Sequence, residues 1–158
     1  MAISSVQSTN TGGAGLTASN SVQTSAFSSS VTTGNSILVV IFGYINTTAT
    51  TVSLSDTESN TYTCDLLNAY NSGSSNVISN PGSNNVPAGV SWVGIWRASN
   101  VTGGSTFKVT ITLGGSVQGL FAATAWEVSG LAATSPVDVT ANSAGASGSP
   151  SSSTFTTA

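Results

Sequence analysis

The sequence predicts an all-β domain, a two-sheet antiparallel sandwich of jelly-roll or immunoglobulin-like type with eight to ten strands. Three observations predict it. Apolar residues recur with a period of two in several short runs, and clusters of Gly, Asn, Ser and Pro separate those runs. No stretch keeps a 3.6-residue amphipathic period for more than two helical turns. The 158 residues suffice for one domain with a hydrophobic core. Hydrophobic residues make up 39%, enough to fold, whereas charged residues make up 4% against the roughly 25% typical of soluble domains. Ser, Thr, Asn and Gly must therefore supply the surface.

Residues 1–19 read as a polar N-terminal arm or edge strand, with Ile3 and Val6 as isolated apolar positions ahead of the loop-forming "TGGAG". Residues 20–140 make the sandwich. "SVQTSAF" supplies a first strand. "SILVVIFGYI" is a continuous apolar run of strand length, the pattern of a strand buried on both faces or central to a sheet. "TTVSLS" puts Val52 and Leu54 on one face, "NTYTCDLL" puts Tyr62, Cys64 and Leu66 on one face, and "DTESN" forms a tight turn between them. Residues 68–89 have loop composition around at most one short strand, at Val77 and Ile78.

Three strong strands follow. "VSWVGIWRA" gathers Val90, Trp92, Gly94 and Trp96 on one face, and "TFKVTITL" turns Phe107, Val109, Ile111 and Leu113 inward. "LFAATAWEV" assigns Trp126 to the core, on the face it shares with Leu120 and Val128. The glycine-bearing links between them predict a meander, with Arg97 and Lys108 on neighbouring strands and Glu127 placed to pair with Lys108. "VDVT" is one more short strand. Residues 141–158 are a Ser/Gly-rich segment ending in the β-prone "TFTT" that contains Phe155.

Composition also excludes functions. A net charge of −3 with two basic residues removes the attraction on which nucleic-acid and anionic-membrane binding depend, so neither partner is expected. The longest apolar run, "ILVVIFGYI", is far shorter than the roughly 20 residues a spanning helix needs. "MAISSVQSTN" has neither the basic start nor the apolar run of a secretory signal. With no histidine, the chain lacks the Ser/His/Asp and Cys/His nucleophile arrangements and the usual zinc ligand. The lone Cys64 forms neither an internal disulfide nor a thiolate cluster, and reads as a small buried apolar residue.

Asp56, Glu58, Asp65, Glu127 and Asp138 are the only acids, and a glycosidase pair needs two of them about 5–10 Å apart across a cleft. The expectation is a non-enzyme with no cofactor. Asp56 and Glu58 in "SDTESN" are the calcium candidates, set against the commoner role of a turn Asp as a cap for its own backbone.

In order over residues 35–140, "NSILVVIFGY", "SLSDTESNTYT" and "AWEVSGLAATSPVDVT" resemble a Ser/Thr/Gly-rich β-sandwich module of bacteriophage structural proteins and bacterial surface proteins. Ser59 stands where that module's turn carries glycine. The resemblance implies a structural or binding role and carries over no catalytic residue. It implies a virion structural protein, a capsid decoration (cement) protein or other outer-surface component. Such a protein sits on the virion surface and packs against a major capsid protein or like subunits as a homo-oligomer, with a trimer as the implied form. The interaction candidates are Ile3, Val6, Arg97, Lys108 and Phe155. Two alternatives stand beside it. One is an extracellular or cell-surface receptor-binding module that recognises glycans through the 68–89 loop and an exposed tryptophan. The other is an extracellular filament subunit joined by strand exchange.

Overall fold

Short alternating runs broken by turn residues have one economical outcome, strands paired edge to edge with an apolar face to cover. The computed structural model describes residues 2–12, 17–45, 48–70, 77–79, 84–115 and 119–137, and shows that outcome. The strands are β1 (Ser4–Asn10), β2 (Thr17–Ser19), β3 (Ser21–Gln23), β4 (Ser36–Ile45), β5 (Thr50–Asp56), β6 (Thr63–Tyr70), β7 (Val77–Ser79), β8 (Asn85–Val86), β9 (Val90–Ala98), β10 (Val109–Leu113) and β11 (Gly119–Ser129). Eleven strands, not eight to ten, occur among the described residues. The strands the sequence does not foresee are β2 and β8, three- and two-residue pieces too short to show a period.

The chain is an all-β, two-sheet antiparallel sandwich. A seven-stranded sheet has the order β1-β11-β4-β9-β6-β7, with β2 also pairing β11, and a four-stranded sheet has the order β3-β10-β5-β8. The expected meander does not form. β9 and β11 flank β4 in the large sheet, while β10 lies between β3 and β5 in the small one. The physical reason lies in the link from β9 to β10. Its Val101 and Phe107 are buried, and the Phe107 ring meets Phe27 edge-on at 6.0 Å, so the link crosses the end of the core instead of turning back as a hairpin. Arg97 and Lys108 therefore sit on different sheets, and the Lys108–Glu127 pair is absent.

The core fills the space between the sheets by matching large residues with small ones. Across the large sheet one inward row reads Phe121, Gly43, Trp92, and the next reads Ala123, Ile41, Gly94. The Trp96 ring lies over Gly94, where any Cβ would collide with it. Trp92 and Trp96 meet edge to face at 6.3 Å. These indoles take the volume that β11 leaves by supplying Ala123 and Ala125. That packing corrects the assignment of Trp126: Phe121, Ala123 and Ala125 face inward, so Trp126 and Leu120 face out. A bulge between Cys64 and Leu66 likewise turns Cys64, Leu67 and Ala69 inward and sends Leu66 outward.

Candidate interaction face

Because side chains alternate across a strand, β4 cannot bury all of "SILVVIFGYI" against one partner sheet. Ile37, Val39, Ile41 and Ile45 are fully buried. Leu38, Val40, Phe42 and Tyr44 project from the other side, where an antiparallel sheet normally presents polar residues to water. Neighbouring strands continue the same chemistry. Register places Val93 and Ala122 on either side of Phe42, Ile95 and Thr124 on either side of Val40, and Leu120 beside Tyr44. Trp126 sits next to Leu38. Phe42 is 50% exposed, Val93 40% and Leu120 41%, so this outer face is a broad apolar sheet surface open on one side.

Charge is held at its margin. Arg97 Nε donates to Asp65 Oδ2 at 2.9 Å, its second amino group donates to Oδ1 at 3.1 Å, and Nη1 donates to Ser99 Oγ. This bidentate pair neutralises Arg97 within the chain. Lys108 immediately precedes β10 of the small sheet, where its backbone N–H donates to Thr57 Oγ1 at 3.4 Å; among the described residues it makes no ion pair. Ile3 and Val6 are 67% and 51% exposed along the edge, beside a bulge in β1. Phe155, Asp138 and all of "VDVT" after Val137 lie outside the described residues, as do 71–76 and 80–83 of the 68–89 loop.

β1 is fastened by a buried acid. Glu127, with no exposed surface, accepts hydrogen bonds from Gln7 Nε2 at 2.6 Å, Asn35 Nδ2 at 2.6 Å and the Thr32 N–H at 2.9 Å. Burial alone would raise its pKa, but these donors outweigh it and hold the carboxyl below the usual carboxylate range. Glu127 thus ties the edge strand and the 28–35 loop to β11. It is a structural anchor with no outward-facing atom.

The calcium candidates are likewise committed elsewhere. Asp56 Oδ1 accepts from the N–H groups of Glu58 and Asn60, and Oδ2 accepts from Asn60 Nδ2 and the Tyr62 hydroxyl at 2.9 Å. That is the turn-capping role. Burial, and the Asp56 carboxylate beside it, push the Tyr62 hydroxyl's pKa far above its ordinary value. The Glu58 side chain packs on Gly104, and among the described residues no three His, Cys, Asp or Glu side chains gather as a metal set. Ser59 has φ of 62°, so the turn keeps the left-handed geometry that glycine would adopt.

Among the described residues, clefts open between and beside the sheets. One of about 500 Å³ is bordered by Thr48, Thr51, Asn85 and Gly115, and one of about 360 Å³ by Leu54, Tyr62, Cys64 and Trp96. No carboxylate lines either, so neither supplies an acid/base pair. Burial pushes the Cys64 thiol up to about 11, opposed by the Leu66 backbone hydrogen bond and aided by the charge of Asp65. It stays protonated at neutral pH and is a poor nucleophile.

The sequence candidates thus scatter over both sheets, the edge and the turn. Of the residues that do come together, Phe42, Leu120 and Trp126 read from sequence as core, whereas Val93 falls on the outward face of β9 with Arg97. Their signal was present in the unbroken apolar run of β4 and in Val93 and Ile95 between the tryptophans of β9.

The sequence matches no family model and no curated protein. Among solved structures it is similar to the CBM22-1 and GH10 modules of the Clostridium thermocellum endo-1,4-beta-D-xylanase 10B complexed with xylohexaose. The identity is 16%, over 76% of this chain and 26% of that one, with a TM-score of 0.36. The chain spans about a quarter of that protein's length, and a likeness of this degree assigns no function.

Proposed function

We propose that the protein is a non-enzymatic structural module that works by packing, and that the outer face of its seven-stranded sheet is the surface it buries against other protein. The observation that carries this reading is the apolar register row of Val93, Phe42 and Ala122, extended by Leu120 and Ile95, on a face that folding leaves exposed. Burying one side chain of this size is worth about 1.5–3 kcal/mol, so a row of them left in water is a reserve of association energy. In its finer form the reading is an outer virion component, a capsid decoration subunit packed on a major capsid protein or on like subunits. Support for that form comes from the sequence resemblance over residues 35–140 and from a surface with 4% charged residues, which must fit by shape.

A second reading, glycan recognition at a cell or extracellular surface, is favoured by one feature: Phe42, Tyr44 and Trp126 share the face, and sugar rings stack on aromatic ones. Aliphatic neighbours outnumber hydrogen-bonding ones there, so packing ranks first. Titrating the full chain with soluble oligosaccharides while following tryptophan fluorescence separates the two. Packing predicts no saturable change. A saturable signal that disappears in Trp126→Ala establishes the glycan reading instead.

A further inference from the structure

We propose that the occupant of this outer face is a second copy of the chain, packed sheet to sheet about a two-fold axis; the inference rests on reading the face as a packing surface. Three features of the molecule select this partner.

The first is charge. The face carries no unpaired charge: its one cation, Arg97, is engaged by Asp65 of the same chain. A partner whose surface bears the usual density of charges would strand them against Val93, Phe42 and Leu120. A second copy brings an equally uncharged surface and strands none.

The second is shape. Antiparallel sheets with the same right-handed twist pack face to face at about −30° and about 10 Å apart, and two copies of one sheet have the same twist by identity. The outer face also alternates bulky Phe42 and Leu120 with small Ala122, Ser91 and Thr124, which lets two such faces interdigitate.

The third is area. Five strands, β1, β11, β4, β9 and β6, at about 4.8 Å spacing and four outward rows at about 6.8 Å make a face of about 24 by 27 Å. That is about 650 Å² on each copy and about 1,300 Å² for the pair, above the roughly 1,000 Å² that a specific interface requires. β4 is the middle strand of the five, so a two-fold axis through the face brings the two copies of β4 together.

The test is the mass of the full chain by light scattering over a dilution series, with circular dichroism to verify folding. The proposal expects twice the 15.6 kDa chain mass at high concentration, falling to the single-chain mass on dilution. Phe42→Glu and, independently, Val93→Glu should each weaken the pair by more than 100-fold, while Ser55→Glu on the small sheet leaves it unchanged. An equimolar mixture of Phe42→Glu and Phe42→Lys chains should recover the doubled mass, because opposite charges then meet across the axis.

An oligomer that survives both glutamate variants overturns the proposal and the packing role of this face together, whereas a trimer that both variants dissociate overturns the two-fold pair alone. A wild-type chain that stays monomeric overturns the second copy, and if Phe42 and Val93 then resist hydroxyl-radical labelling a segment of the same chain covers the face, which overturns its packing on other protein as well. A glutamate/lysine mixture that remains monomeric overturns the two-fold arrangement.

Discussion

The two outer faces of the sandwich share one strand geometry and carry opposite chemistry. On the small sheet the outward residues of β5 and β10 include Ser53, Ser55, Thr110 and Thr112. On the large sheet the outward residues of β4, β9 and β11 include Leu38, Phe42, Val93 and Leu120. Their inner faces are alike: Ile41 and Ile111 are both fully buried in one shared core. Folding therefore makes the same demand on both sheets. It explains both inner faces and the polar outer one, but not the apolar outer one, which is the feature the proposed association accounts for.

The sharpest way to break this comparison is at the inner faces. Ile41→Ala and Ile111→Ala should each cost about 2–5 kcal/mol in urea unfolding, through lost burial and the cavity left behind. If one costs several-fold less than the other, the sheets do not share one core, and the difference between the outer faces loses its meaning. Next in size is the anchor at the edge of the large sheet. Glu127→Gln should destabilise by about 1–3 kcal/mol, because an amide cannot accept from Gln7, Thr32 and Asn35 as a carboxylate does.

The same carboxylate gives a pH signature. Its folded pKa is lowered, so its stabilisation is complete above the unfolded value of about 4.3 and is lost as pH falls through the lower folded value. Urea stability followed from pH 7 down to pH 3 should drop in the wild type over that window and drop less in Glu127→Gln.

A smaller effect sits in the turn that carries the chain from the small sheet to the large one. Ser59→Gly should raise stability by about 1 kcal/mol, since a side chain at φ of 62° is strained and glycine is not. Smallest for stability, and most telling for the comparison, are the outer faces themselves. Phe42→Ser should change single-chain stability by no more than about 0.5 kcal/mol while abolishing association. Ser53→Val combined with Ser55→Val should give the small sheet an apolar face and make it associate too.

The sequence made the strands legible where period and length agreed. Trp92, Trp96 and Phe107 were assigned to the core on alternation alone, and they are buried. Failures came where alternation was ambiguous or where the decision was long-range. In "LFAATAWEV" both faces are apolar, so only the fit of Ala123 and Ala125 beside the tryptophans fixes which one is inside. The meander failed because a link rich in Gly, Ser and Thr looks like a turn, while its Val101 and Phe107 anchor it across the end of the sandwich. The candidate face was written plainly in β4, since an unbroken apolar run announces two buried faces. Sequence does not say that folding leaves the second of those faces uncovered.

The most direct test of that claim is hydroxyl-radical footprinting of the full chain at concentrations where it is assembled. Ile3 and Val137, which lie outside the five strands of the face, serve as exposed controls, at 67% and 38%. Packing predicts that Phe42, Val93 and Leu120 are protected several-fold relative to these controls, and that dilution restores their labelling. Labelling of the three in proportion to their exposure at every concentration would show that the face meets only water, and would contradict the account.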